Sequence, residues 1–141
     1  MGFKAPDFTL LDSRTGDTVS FKDIKGIGIV AINSNNIVKY PDDHPDKMKM
    51  LAEELNFPFP YLFDGSQKTA KAFDATCIPD FNLFDVNNKY VYRGQLDSSR
   101  PGNNVPVTSV DLRKALDQVL NGEQVPVKQT SRIGCNIKWK E

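Results

Sequence analysis

Ile27-Gly28-Ile29-Val30-Ala31-Ile32-Asn33 is the stretch on which the fold turns. It is a continuous β-branched run, the pattern of a strand covered on both faces. Ser34-Asn35-Asn36 ends it. Tyr40-Pro41-Asp42-Asp43-His44-Pro45 then sets up a helix, with Pro45 at the first helical position and acidic residues near the positive end of the dipole. Met48, Leu51, Ala52 and Leu55 follow at i, i+3, i+4 and i+7, which makes one apolar stripe. Pro58-Phe59-Pro60 leads into a short strand at Tyr61-Leu62-Phe63, and Asp64 or Ser66 caps a helix over about residues 67–73.

Towards the N-terminus, Phe8 and Leu10 suit a half-buried strand. Ser13-Arg14-Thr15-Gly16-Asp17 supplies a turn before Val19 and Phe21, and a brief helical turn is stopped by Gly26. Towards the C-terminus, Cys77-Ile78-Pro79 precedes a strand over 81–84, and Val86-Asn87-Asn88-Lys89 makes a hairpin into Tyr90-Val91-Tyr92. The spacing of Thr108 to Asp111 predicts a capping box for a last helix that presents Leu112, Ala115, Leu116, Val119 and Leu120, with Gly122 as its stop. Helices alternate with strands before a hairpin and a closing helix. That order predicts an α/β layered domain with a mixed sheet.

At 141 residues the chain is one domain's worth, and 39% apolar with 26% charged residues is ordinary for a folded soluble protein. Lys and Arg number 18, as do Asp and Glu, so there is no basic excess and nucleic acid is not an expected partner. No apolar run is long enough for a membrane span, and residues 1–10 hold no signal-peptide core, so a cytoplasmic location is expected. Two cysteines are too few for a secreted disulfide scaffold; Cys77 and Cys135 are either buried thiols or a redox pair.

Four places offer chemistry. In Cys77-Ile78-Pro79-Asp80 a cis proline would leave the preceding backbone groups free for an extended substrate, whereas a trans proline would simply open an edge strand. Cys135, beside Gly134 and near Lys138 and Lys140, is either an accessible thiol favoured as thiolate or an inert sulfur in a tail docked by Ile137 and Trp139. Asp42, Asp43, His44 and Asp46 lack a ligand spacing and are explained by the helix dipole, so no metal is expected. Arg100-Pro101-Gly102-Asn103-Asn104 is a turn that could form an anion nest.

The opening Gly2-Phe3-Lys4-Ala5-Pro6-Asp7-Phe8-Thr9-Leu10 resembles the start of the alkyl hydroperoxide reductase/thiol-specific antioxidant family, which is peroxiredoxin-like. The resemblance continues through Ala31-Ile32-Asn33-Ser34-Asn35, Tyr40-Pro41-Asp42-Asp43, Phe59-Pro60-Tyr61-Leu62-Phe63-Asp64 and Cys77-Ile78-Pro79-Asp80-Phe81. Tyr92-Arg93-Gly94-Gln95-Leu96-Asp97, Ser99-Arg100-Pro101-Gly102-Asn103 and Ile133-Gly134-Cys135-Asn136-Ile137-Lys138-Trp139 extend it over nearly the whole chain. Together these blocks resemble a thioredoxin-like thiol-disulfide oxidoreductase subfamily.

The resemblance implies a single thioredoxin-like domain over 1–141, a three-layer fold whose mixed central sheet is flanked by helices. Residues 1–26 would be an N-terminal hairpin extension and 123–141 a C-terminal tail. Pro79 would be the cis proline beside the redox centre. The family's Cys-x-x-Cys, on a helix after a central strand, is missing here; a βα unit of about 30 residues or more is absent between Gly26 and Ile27. The missing strand would lie between 27–33 and 81–84, which could then pair directly or have a partner chain fill the gap.

The implied function is reduction of protein disulfides or small peroxides with a thiol reductant. The alternative is a catalytically silent thioredoxin-like binding module. Candidate thiols are Cys77 and Cys135, and the candidate substrate groove is Ile78, Pro79, Asp80 and Arg100. No cofactor, metal, nucleic acid or membrane is expected, and a homodimer is possible on this pattern.

Overall fold

The computed structural model describes residues 3–24 and 28–141. The expected stop at Gly26 and the junction of Gly26 with Ile27 lie outside the described residues. The chain forms two compact units, one from Pro6–Ala75 with Ile137–Glu141, the other from Met1–Ala5 with Thr76–Asn136.

The first unit holds a mixed four-stranded sheet. β1 (Thr9–Asp12) forms a hairpin with β2 (Thr18–Ser20), in which Leu10 faces Val19. Gly16 turns it at φ +80°, where an L side chain is rarely found. β3 (Ala31–Asn33) runs parallel to β4 (Tyr61–Phe63), and β4 is antiparallel to β1, giving the order β2-β1-β4-β3. The hairpin is therefore joined to the sheet through β1. Leu62, at the middle of central strand β4, is 0% exposed.

The run 27–33 departs from its expected place. Only Ala31–Asn33 is strand, each residue is half-buried, and Ile29 is 60% exposed, while Ile27 is outside the described residues. Among the described residues β4 is its sole ladder partner, so β3 lies at an edge of this sheet, and β-branched composition alone did not guarantee a central place.

α1 (Pro45–Glu54) packs on β4, with Pro45 in its first turn and the His44 ring accepting from the Asp46 N–H at 3.3 Å. Met48 and Ala52 are buried, whereas Leu51 and Leu55 of the expected stripe are exposed. The short α2 (Lys68–Ala72) starts under Asp64, whose buried carboxylate accepts from Ala70 N–H at 2.9 Å and Ser34 Oγ at 2.8 Å.

The second unit carries β5 (Phe81–Phe84) and β6 (Tyr90–Gly94), an antiparallel pair with Leu83 opposite Tyr92 and a bulge between Leu83 and Phe84. Direct pairing of 81–84 with 27–33 is not found, since β5 is hydrogen-bonded to β6 alone among the described residues. α3 (Val110–Leu120) lays Ala115, Leu112 and Val119 on Tyr92, Val91 and Leu83, with Val125 closing the cluster.

The expected capping box of Thr108 and Asp111 is not formed. Ser109 precedes the helix in a left-handed conformation, and the Asp97 carboxylate, from the loop after β6, accepts from the N–H groups of Thr108 (2.7 Å) and Ser109 (2.6 Å). Asp111 instead accepts from Gln95 Nε2 at 2.6 Å. The free N–H groups of Asp111 and Leu112 in the first turn donate to the Leu96 carbonyl at 3.2 Å, a partner no local spacing could display. Among the described residues no helix is long and apolar enough to cross a membrane.

Candidate functional site

The site is built on the loop Thr76-Cys77-Ile78-Pro79-Asp80, which enters β5. The Ile78–Pro79 peptide is cis. Pro79 has no N–H to give, so the pairing capacity of this corner is the backbone of Ile78. Both of its groups are used: the Ile78 N–H donates to the Cys135 carbonyl at 2.8 Å, and the Cys135 N–H donates to the Ile78 carbonyl at 3.0 Å. This is one antiparallel residue pair standing apart from the named strands. A Cβ on Gly134 would lie 2.1 Å from the Ile78 carbonyl oxygen, so the approach needs glycine.

Asp80 fixes the loop. Its side chain is 6% exposed and meets Arg132 twice, with Nε 2.6 Å from Oδ1 and Nη2 2.9 Å from Oδ2. The Nη2–Oδ2 contact is a hydrogen bond and the Nε–Oδ1 approach a charge contact, so the pair is held by one hydrogen bond and close opposite charge. Arg93 Nη2 stands 3.4 Å from Oδ2, and the Thr76 N–H donates to the same oxygen at 3.2 Å. Arg132 also reaches Thr76 Oγ1 at 3.0 Å. Asp80, expected in the groove, therefore spends its carboxylate on holding loop and tail.

Pro79 and Arg100, both expected in the groove, do meet. They line an open groove of about 200 Å³ with Phe81, Leu96, Val107 and Ile133. Arg100 is a loop clamp as well, donating to the Asp97 carbonyl at 2.8 Å, the Ser99 carbonyl at 2.7 Å, and Gln95 Oε1. The stretch after it is a turn closed by Asn103, whose Oδ1 accepts from the Arg100 N–H at 3.0 Å. Asp97 is held below the ordinary carboxylate range by the N–H groups of Ser109 and Ser99, against the opposing effect of burial, with help from Thr108 and the Arg100 charge.

Cys77 is half-buried, with Sγ 3.5 Å from the Pro79 carbonyl, and Cys135 is exposed; both are free thiols. Ile78 is opposite Cys135 in an isolated bridge, and Cys77 lies in the bend just before it. The loop brings the two cysteines into neighbouring backbone without joining their sulfurs.

The tail supplies residues that sequence patterns did not single out. Gln129 Oε1 accepts from the Arg93 N–H at 2.8 Å, its Nε2 donates to the Val91 carbonyl at 2.8 Å, and the Thr130 carbonyl accepts from the Gln95 N–H at 3.0 Å. Residues 129–130 thereby cover an edge of β6. In the first unit, buried Gln67 donates to the Lys138 carbonyl at 3.0 Å and accepts from the Lys140 N–H at 2.9 Å. Ile137 is buried there, and Lys71 Nζ lies 5.8 Å from the Trp139 ring. A polar tail carries no periodicity; Gly134 beside Cys135 was its one local signal.

Among the described residues no three His, Cys, Asp or Glu side chains are grouped to hold a metal. His44 serves the start of α1, and the Asp43 carbonyl accepts from Asn33 Nδ2 at 2.9 Å.

Solved structures match the chain over almost its full length, two of them as follows. An uncharacterized conserved protein from Geobacillus kaustophilus is 44% identical, with a TM-score of 0.96, over 99% of this chain and 92% of its own. The chain belongs to the family of that protein. A hypothetical protein, SMc02350, from Sinorhizobium meliloti 1021 is 35% identical, with a TM-score of 0.94, over 99% of this chain and 94% of its own. No protein-family model and no curated protein matches the chain.

Proposed function

We propose that this chain is a thioredoxin-like thiol-disulfide oxidoreductase of the peroxiredoxin-like class, with the Pro79 loop as its recognition edge and Cys135 as the attacking thiol. One observation carries the reading: the backbone of Ile78, just before Pro79, is paired antiparallel with an extended segment that bears an exposed thiol. The sequence blocks quoted above support the fold, as do the parallel β3–β4 pair and the β5–β6 hairpin closed by α3.

In the proposed chemistry the Cys135 thiolate attacks one sulfur of a disulfide R–S–S–R′. A Cys135–S–S–R bond forms, the S–S bond of the substrate breaks, and R′–S⁻ leaves and takes a proton. Dithiothreitol then reduces the mixed disulfide, releasing R–SH, restoring Cys135 and ending as its own cyclic disulfide. With a peroxide ROOH the thiolate takes the distal oxygen, ROH leaves, and the same reductant returns the sulfenic acid to thiol with loss of water.

Insulin reduction driven by dithiothreitol tests this. Turnover above the uncatalysed rate that disappears in Cys135→Ser supports the enzyme. The absence of Cys-x-x-Cys from the chain favours a second reading, a silent module that docks extended polypeptide. Peptide binding without turnover of disulfide or peroxide is its signature.

A further inference from the structure

We propose that Ile133–Asn136 is a displaceable strap on a peptide-docking edge, and that the partner which displaces it is an extended polypeptide of the pattern apolar-Gly-X. The inference rests on the reading of the Pro79 loop as a recognition edge. It adds what that edge selects and what occupies it in the resting chain.

The strap is held in an uneven way. The chain just before it is fixed by Gln129 and Thr130 along β6 and by the buried ion pair of Arg132 with Asp80. Between Arg132 and the anchored Ile137–Lys140 stretch, the hold on residues 133–136 among the described residues is the single Ile78–Cys135 pair, an isolated bridge. Ile133 is 69% exposed, and Gly134, Cys135 and Asn136 are exposed too. Two neutral hydrogen bonds with little burial around them describe a segment that opens locally while the rest of its unit stays folded.

The contacts also define the pattern. The position before the paired residue must lack a Cβ, because at Gly134 that atom would sit 2.1 Å from the Ile78 oxygen. The position before the glycine lines the groove with Pro79, Leu96, Pro101 and Val107, so an apolar side chain suits it. The paired residue contributes only its N–H and C=O to Ile78, so its side chain is free. Backbone pairing supplies the hold and alternate side-chain positions supply the selection, as in strand addition generally.

The test uses the full chain and the peptide Ser-Arg-Ile-Gly-Ser-Asn, which repeats the strap with serine in place of its thiol. Amide exchange is followed by NMR at Ile78 and Cys135 as peptide is added. The strap predicts that Cys135 loses protection while Ile78 keeps it, because the peptide carbonyl takes over the Ile78 N–H. A peptide with valine at the glycine position should do neither. Cys135 protection that stays unchanged at saturating peptide, or loss at both amides together, overturns the proposal.

Gly134→Val in the full chain gives a second readout. Expelling the strap should tighten peptide binding about tenfold, the gain expected where the edge is closed some nine-tenths of the time. Unchanged affinity in a folded variant counts against the strap; if the variant does not fold, the exchange experiment on the unsubstituted chain decides. The probe has no thiol. Insulin turnover without peptide binding therefore overturns the strap alone, and peptide binding without turnover overturns the oxidoreductase alone.

Discussion

Asp80 and Arg132 stand 52 residues apart in sequence and form a two-point ion pair, with Nε–Oδ1 at 2.6 Å and Nη2–Oδ2 at 2.9 Å. Their side chains are 6% and 15% exposed, so each charge depends on the other for what water no longer provides. Asp80→Asn leaves Arg132 without its counter-charge and should destabilise the chain by about 3–5 kcal/mol, read by urea denaturation. Arg132→Lys cannot reproduce both contacts and should lose part of that stability. A midpoint unchanged in Asp80→Asn would show that the pair holds nothing.

The Asp12 carboxyl is buried, and burial alone would raise its pKa. Hydrogen bonds from the Arg14 side chain, from the N–H groups of Arg14 and Tyr61, and the Arg14 charge together outweigh burial and hold it below 3.8. A depressed folded pKa means that the unfolded chain binds the proton first. The stability it brings is fully present above about 3.8 and is lost as pH falls through the lower folded value. Asp97 acts in the same direction. Asp12→Asn should therefore be less stable than the parent at neutral pH, with the difference shrinking below about pH 4. Denaturant midpoints across that range check it, and a constant difference would contradict it.

Leu62 has no exposed surface and lies between β1 and β3 on the central strand. Leu62→Ala leaves a cavity and should cost about 2–5 kcal/mol. Leu51→Ala, on the exposed side of α1, should stay within about 0.5 kcal/mol of the parent. Thermal unfolding of the two variants separates a buried position from an exposed one. Equal losses would contradict the assigned burial.

How much of this could be read from residue order is clearest at individual positions. At Pro79 the residues alone left cis and trans open, and only the family resemblance implied the cis peptide that Ile78–Pro79 has. Pro79 and Arg100 line one groove, though they stand 21 residues apart in the chain. The ion pair of Asp80 was not legible, because a carboxylate shows its type but not its partner, and Arg132 lies in a tail without periodicity. The Thr108–Asp111 spacing satisfied a local capping rule, but in the fold the Leu96 carbonyl takes the free N–H groups of the first turn of α3. The run 27–33 signalled strand, yet propensity reports nothing about how many neighbours a strand will have. Gly134 was visible only as a glycine; the carbonyl that forbids it a Cβ belongs to a residue 56 positions earlier.

Exposure orders the two thiols. Cys135 is exposed, and Cys77 is half-buried with its sulfur against the Pro79 carbonyl. Iodoacetamide on the native protein should label Cys135 first, with Cys77 reaching the same rate only after denaturation. Peptide mapping after partial labelling checks the order, and equal native rates would contradict it.

The most direct measurement is the first chemical step itself. The native protein is mixed with a peptide disulfide in the absence of reductant, quenched in acid, and its mixed disulfides are located by mass spectrometry. The proposed oxidoreductase predicts a peptide adduct at Cys135, formed faster than on a short unstructured peptide with the same Gly-Cys-Asn sequence. An adduct that forms no faster than on that peptide, or only at Cys77, would contradict the assignment of Cys135 as the attacking thiol.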